Sequence, residues 1–515
     1  MPTVSSSVAL PNTVTTPTSR VGRRPRGFLY LAVGLVVATT ILRAAVCWRN
    51  DAWVEHPSGV IIAMAADLKG GVFYRPLYGP DGYGGTRYFP LYFVLHATLL
   101  KLGLPVLASA YALSGAAVVL LLVGAFYLLR RLGAEPWLAA CASGTLMAAA
   151  SAQMAVTNPH GDGLASALNV CGLAVIARPK LDQRHVLFAS ILFTLAWSAK
   201  LNMVFGVAAA VIWLLAKGER RIALDLALKT ALGCLLVAAV MLVASHAHVW
   251  EVFRACASGG TSLRLMRRAA KHVWAIANRA DRGLILFFFL AVFGLVAEVF
   301  SRRKLLQNLP VVLFLTTMAV IVPIFGSPGV VANHLIDVQI ASVVLFTAWL
   351  ANDATRHLKP LGVCALALAT LVAAVPLLHK LMTWDRRFEP HRFEQVVAAI
   401  KDTNKPILAE NPIIPVLAGQ RTYVLDAWML RMLRDRIPNF GDPLLAKLRN
   451  RDFGAVVLSF ANPRTDRARM WYTYSDFGPG FLEALTENYR LVGEVEDQMI
   501  YVPITDHDVY NPSPR

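Results

Sequence analysis

Three acids and one lysine stand where this sequence is equipped for chemistry. Asp51 and Glu55 follow closely on the first long apolar run, in RNDAWVEHPSG. Asp162 opens a later apolar run in TNPHGDGLAS, with His160 just ahead of it, and Lys200 interrupts another in FTLAWSAKLNMVFG. An ionisable group between two apolar half-helices is costly unless it faces a polar cavity or finds a partner, which makes function the first reading of Lys200. Its plainer alternative is a side chain that snorkels to the interface. For Asp162 the plainer reading is a cap and dipole partner of the helix it begins. Farther on, GSPGVVANHLIDVQIASVV sets Asn333, His334 and Asp337 at the start of one more apolar run, where they line the same cavity or cap the helix.

The loop after the first run is the richest segment. Beyond its two acids come a short amphipathic helix, Ser58 to Lys69, and a Gly- and Tyr-rich stretch carrying Arg75 and Arg87. A group-transfer site acting on sugars needs a carboxylate to take a proton, cations to neutralise a leaving phosphate and aromatic faces to stack on rings. All three types occur here, although a solvated loop whose acids mark a boundary would contain them too.

The elements that position these residues are membrane helices. Of 515 residues, 56% are hydrophobic and 16% charged, outside the range of soluble domains. The apolar residues fall in runs of about 17 to 23, long enough to cross roughly 30 Å of hydrocarbon, where helices satisfy their own backbone. The runs predict an all-α polytopic membrane domain of about 11 transmembrane helices over 27–379. The spans are Gly27–Val46, Leu107–Leu129, Trp137–Ala155, Asp162–Ala177, Val186–Ala199, Leu201–Ala216, Asp225–Ser245, Gly283–Phe300, Asn308–Phe325, His334–Ala351 and Pro360–His379. Phe89–Leu102, shorter and containing His96 and Lys101, reads as an interfacial or re-entrant helix. Residues 1–26 read as a disordered cytoplasmic tail.

A net charge of +18 could suggest nucleic acid, but the cations cluster in short loops. There they set membrane orientation. Arg130/Arg131, Arg178/Lys180/Arg184, Lys217/Arg220/Arg221, Arg302/Arg303/Lys304 and Arg356/Lys359 all thread to the side of the N-terminus, which predicts a cytoplasmic N-terminus in a bacterial inner membrane. The alternative is that Val186–Ala216 forms one bent span, which would flip the C-terminal half. On the outer side the map leaves 47–88, a basic loop 246–282 containing Arg267 and Arg268, and a tail 380–515. Excess cations on that side attract lipid headgroups or a lipid pyrophosphate. The tail alternates helix-like stretches (Arg392–Lys401, Pro443–Asn450) with strand-like ones (Pro406–Ala409, Thr422–Leu425, Ala455–Ser459, Met499–Pro503), a small soluble α/β domain. Six cysteines without CxxC spacing imply neither a disulfide framework nor a zinc site; Cys47 and Cys256 are the one pair that falls on the same outer side.

At these residues the chain resembles the GT-C membrane glycosyltransferases, in particular the bacterial relatives of protein O-mannosyltransferases and the aminoarabinose and Rhizobium lipopolysaccharide sugar transferases. The matches follow chain order: GGVFY at Gly70–Tyr74, FPLYF at Phe89–Phe93, Asp162 for a second-loop acid, SAK at Lys200 for a hinge lysine, and Asn333–His334 for a helix start. The tail is similar through ILAENPIIPVLAGQ, YVLDAW and LLAKLRNRDFGAVVLS. The chain departs where the family's acid stands about thirteen residues before the loop glycine, since that count reaches Pro57; Glu55 is the first choice for the base and Asp51 the second. The resemblance implies inverting displacement of a sugar from a polyprenyl-phosphate donor to an extracytoplasmic glycan, lipid or protein acceptor. Glu55, Asp51 and Asp162 would be its acids. Lys200, Arg75, Arg87, His160, Asn333, His334, Arg267 and Arg268 would hold substrate or lipid phosphate, with a divalent metal left open. The rival classes are a transporter or lipid flippase and a non-catalytic scaffold; the gathering of acids at one face, not at the midplane of several spans, favours the enzyme.

Overall fold

The computed structural model describes residues 21–505 except 52–53, 258–261, 281, 302–303, 328–329, 331, 385–391, 402 and 460–464. Most of the expected tail 1–26 lies outside the described residues. Its last arginines do not, and the first helix, α1 (Arg23–Asn50), already includes Arg23, Arg24 and Arg26. After it come α2 (His56–Lys69), a hairpin β1 (Tyr78–Gly79) and β2 (Gly82–Tyr83), α3 (Pro90–Lys101), α4 (Val106–Arg131), α5 (Pro136–Thr145) and α6 (Ala150–Thr157). The bundle continues with α7 (Asp162–Ile176), α8 (Gln183–Ala199), α9 (Phe205–Ala216) and α10 (Arg220–Ala244). Three short helices, α11 (His248–Ala257), α12 (Leu263–Arg267) and α13 (Ala269–Ala280), lead to α14 (Arg282–Ser301), α15 (Leu309–Ile324), α16 (Ile336–Ala351) and α17 (Lys359–Trp384).

Six helices among the described residues are long and apolar enough to cross a bilayer, seven if the α5–α6 pair counts as one span, with α7, α9 and α15 apolar but shorter. The expected straight span Trp137–Ala155 is instead that pair, bent by 81°. On α10, Leu224, Leu228, Leu232, Leu235, Leu236 and Val243 form an outward stripe, each more than half exposed. Such a stripe suits hydrocarbon and not water. The chain is a multi-pass membrane protein.

Contacts between connections define the two ends of the bundle. Glu135, before α5, meets Arg26 at 3.7 Å and Lys359 at 2.5 Å. Gln307 donates to the Ala216 carbonyl, and Lys229 donates to Gln183. Residues 183 and 217 therefore share an end, so α8 and α9 form a hairpin with Lys200 at its apex, and the single bent span is ruled out. At the opposite end Ser262 donates its N–H to the Gly326 carbonyl.

That opposite end carries the C-terminal region: α18 (Arg392–Ala399), β3 (Ile407–Ala409), α19 (Ile413–Leu417), α20 (Ala427–Arg434), α21 (Asp442–Arg449), β4 (Ala455–Leu458), α22 (Asp466–Tyr474), α23 (Phe481–Asn488), β5 (Tyr489–Val495) and β6 (Gln498–Pro503). Its sheet runs β3-β4-β6-β5, with β3 and β4 parallel and the other pairs antiparallel. Thr422–Leu425 is not a sheet strand; it makes one parallel bridge, Val424 to Tyr83, because its backbone pairs with the first loop instead. Gly82, at φ 99°, leaves that approach open, since a Cβ there would lie 2.0 Å from the Tyr423 carbonyl oxygen. The sequence reading missed β5, whose exposed face holds Arg490 and Glu494 and whose register slips at Gly493.

The C-terminal region changes the character of α2. Val60, Ile61, Ala63 and Met64 pack with Tyr92 and Phe93 of α3, while Ile62 packs with Ile407, Ile413 and Ile414. The helix is buried on both sides. Cys47 and Cys256 lie in different apolar clusters and are free thiols.

Candidate active site

The tightest polar cluster forms where α7, the α8–α9 hairpin and the start of α16 meet. Gly161 stands immediately before α7, and a Cβ on it would lie 2.9 Å from the Ala199 carbonyl oxygen. Its missing side chain lets the start of α7 reach the end of α8, and Asp162 and Lys200 then meet. Lys200 leaves α8 in an extended conformation, φ −156° and ψ 119°, and its Nζ pairs with Asp162 Oδ1. Asn333 Nδ2 donates to Asp162 Oδ2 at 2.6 Å, and His160 Nδ1 stands 3.0 Å from the same oxygen. One turn along both helices the pattern repeats, as Ser166 Oγ donates to Asp337 Oδ1 at 2.7 Å. On α7 the i, i+4 spacing sets Asp162 and Ser166 on one face, toward the turn that carries Asn333 and the start of α16 that carries Asp337.

Asp162 is therefore a hub, and its side chain makes no cap bond to its own helix. Several polar atoms beside it are less well served. Asn333 Oδ1 and His334 Nδ1 are buried without a hydrogen-bond partner, as is Asn202 Oδ1 just beyond Lys200. Buried polar groups are ordinarily paired, so a cluster of unpaired ones marks a place built for a ligand. Arg87 stands within electrostatic reach of His334, and its guanidinium lies 4.4 Å from the Trp428 ring. Tyr88 feels Asp426, Arg87 and Asp162 together.

Glu55 is housed differently. It precedes α2 in an extended conformation, φ −70° and ψ 168°, and does not cap the helix with its side chain. Its carboxyl is open to water at one side yet crowded by protein on the others, and that desolvation pushes its pKa up to about 7. No cation among the described residues offsets the rise. The neighbouring His56 accepts the Ala427 N–H at Nε2, 3.2 Å away, which ties the start of α2 to the start of α20. Asn411 Nδ2 donates to the Val54 carbonyl at 2.6 Å on the preceding residue. No hydrogen bond or ion pair among the described residues joins Glu55 to the Asp162 cluster. Asp51 terminates α1 in the left-handed region, φ 52°, and is buried beside Arg392 of the C-terminal region.

Of the remaining predicted cations, Arg75 is fully engaged. It grips Asp67 through Nε at 2.6 Å and a terminal nitrogen at 2.7 Å, and it donates to the Thr422 carbonyl at 2.5 Å. Arg267 and Arg268 are exposed at the α12–α13 junction and make no ion pair among the described residues. A cavity of about 260 Å³ opens beside Tyr74, Asp81, His246 and His248, and neither Glu55 nor Asp162 lines it. Among the described residues no three His, Cys, Asp or Glu converge as metal ligands. The sequence reading missed His56, Asp67, Asn202 and Asp426. The first and last carry no local signal, since their partners lie some 370 residues away.

No protein-family model and no curated protein matches the sequence. Solved structures do match. ArnT from Cupriavidus metallidurans in the apo state has a TM-score of 0.53 at 13% identity, covering 93% of this chain and 98% of its own. The Archaeoglobus fulgidus oligosaccharyltransferase scores 0.57 at 10% identity over 89% of this chain and 73% of its own. Arabinofuranosyltransferase AftD from Mycobacteria scores 0.53 at 14% identity over 95% of this chain and 42% of its own. All three are GT-C glycosyltransferases, so the chain has the GT-C fold that the sequence resemblance implies.

Proposed function

We propose that this protein is a GT-C glycosyltransferase that moves a sugar from a polyprenyl-phosphate donor to an extracytoplasmic glycan, lipid or protein acceptor. The observation that carries this reading is the set of unpaired buried polar atoms around the Asp162–Lys200 pair, at the end of the bundle where the C-terminal region sits. ArnT has been solved bound to undecaprenyl phosphate, and the archaeal oligosaccharyltransferase in complex with a dolichol-phosphate, which supports a lipid-phosphate donor here.

In this reading the acceptor hydroxyl oxygen bonds to the anomeric carbon as the bond from that carbon to the phosphate oxygen breaks. The electron pair leaves on the phosphate, and the hydroxyl proton passes to Glu55. A carboxyl with a pKa near 7 is suited to that step. Lys200, Arg87, His160, Asn333 and His334 hold the phosphate, and Lys200 keeps donors beyond the one turned to Asp162. Asp162 fixes the lysine. Residues 27–379 form the transferase domain and 380–515 an extracytoplasmic domain, with the N-terminus in the cytoplasm of a bacterial inner membrane.

Two experiments test this. Undecaprenyl phosphate binding in nanodiscs should weaken at least tenfold in Lys200→Met while the protein stays inserted; unchanged affinity removes the donor role. Reporter fusions at Lys217 and Lys380 should report opposite sides of the membrane, and the same side for both would discard the orientation.

A further inference from the structure

We propose that α12–α13 is an anionic-lipid sensor: a cationic strap that docks on acidic headgroups at the bilayer surface and, when docked, seats the Asn333–His334 turn of the polar cluster. The chain between α10 and α14 joins two bilayer-crossing helices, so it is tethered at the membrane surface at both ends. Ala280 ends α13 and Arg282 opens α14, which holds the strap at the surface that α14 enters. Between residues 246 and 282 there are seven Lys and Arg against two acids. Arg264, Arg267, Arg268 and Lys271 are all exposed, and none makes an ion pair among the described residues.

The two sides of the strap differ. Arg264, Arg268 and Lys271 follow one another at four and three residues, close to one helical stripe, with exposed Leu263 and Trp274 at its ends. Cations interleaved with an aromatic and an aliphatic side chain are what a headgroup layer takes up. The opposite stripe, Ala269, Val273, Ile276 and Ala277, packs with Leu335 and Val338. Those two residues flank His334 and Asp337, and His272 rests against Phe325 with ring centroids 5.7 Å apart. A headgroup bound outside thus bears, through one helix thickness, on the turn from which Asn333 reaches Asp162. Charge complementarity selects an acidic bilayer lipid as occupant, since the exposed stripe faces away from the buried cluster that would take a single donor phosphate.

Hydrogen exchange of the full-length protein in nanodiscs tests this without any transfer assay, so its outcome is independent of the transferase reading. In discs with roughly one-third phosphatidylglycerol, amides of 263–278 and 332–338 should exchange several-fold more slowly than in pure phosphatidylcholine, and high salt should reverse the difference. Each cation removed should weaken the protection about fivefold. Arg264→Glu with Lys271→Glu should abolish it while exchange in α4 and α7 is unchanged, which separates loss of docking from misfolding. Equal exchange in the two lipids overturns the proposal. Protection of 263–278 without any change at 332–338 overturns the coupling to the cluster. Protection produced by undecaprenyl phosphate in neutral discs, and not by phosphatidylglycerol, makes the strap a donor site instead and overturns the lipid sensor.

Discussion

Two carboxylates on the same end of this molecule are held in opposite ways. Asp162 is surrounded by partners: a lysine, an amide and an imidazole fix its oxygens, and the helices that carry them meet in matching turns. Glu55 has a crowded pocket, one open side and, among the described residues, no cation. In the proposed reading the difference separates two tasks. A charge paired on both oxygens is a poor acceptor of protons and a good anchor for the cation that must meet a phosphate. A charge left unpaired and partly dehydrated holds its proton more tightly, as a general base at neutral pH requires.

The variant expected to show the largest effect is Glu55→Gln. It keeps the shape and removes the base, so sugar transfer should fall by about 10² to 10⁴ with the thermal transition unchanged. Full activity in this variant would move the base to Asp51 or Asp162. The same assignment predicts a kcat/KM that rises with pH through about 7 and levels off above, a limb that Glu55→Gln should lack. The stability consequence has a definite sign. Because the folded state raises this pKa above its usual 4.5, the folded protein binds the proton more tightly than the unfolded chain does. Its contribution to stability is therefore present below the unfolded value and is lost as pH rises through about 7. A scan of thermal stability against pH should show that decline in the native protein and a flatter profile in Glu55→Gln.

On the other side of the comparison, Lys200→Met strands the Asp162 carboxylate. Breaking a buried pair from one side costs about 3–5 kcal/mol, measurable as a lowered unfolding temperature in detergent. The double variant Lys200→Met with Asp162→Asn should recover much of that stability and none of the donor binding. If Lys200→Met alone is as stable as the native protein, Asp162 is not the hub described above. Asn333→Ala should be milder, about 1.5–3 kcal/mol for a lost hydrogen bond to a charged group. The smallest effect belongs to Asp51→Asn. Buried beside Arg392 at the end of α1, Asp51 should change turnover less than tenfold, and a larger loss would erase the contrast with Glu55.

Local pattern was enough for a large share of this protein. Apolar run length determined that the chain crosses a membrane repeatedly, and α4, α7, α14 and α15 lie within a few residues of where the runs place them, because a span is set by bilayer thickness and by each residue's own hydrophobicity. Lys200 was legible for the same reason, as a charge whose cost in such surroundings demands an explanation, while Asp162 was singled out through the family resemblance. Tertiary structure alone decided which partner satisfies them. Whether Lys200 snorkels or pairs depends on Gly161 letting two helix ends touch, and the pairing of Asn333 with Asp162 spans 171 residues of chain. The burial of α2 on both flanks also comes from neighbours, α3 on one and α19 on the other, and the 81° bend between α5 and α6 is not written in the single apolar run that covers them. Glu55 shows the division most plainly. Its position after the first span is a matter of sequence, but its raised pKa comes from burial that only the folded chain supplies, where Asn411 holds the residue before it, and desolvation is a property of what surrounds a group and not of the group itself.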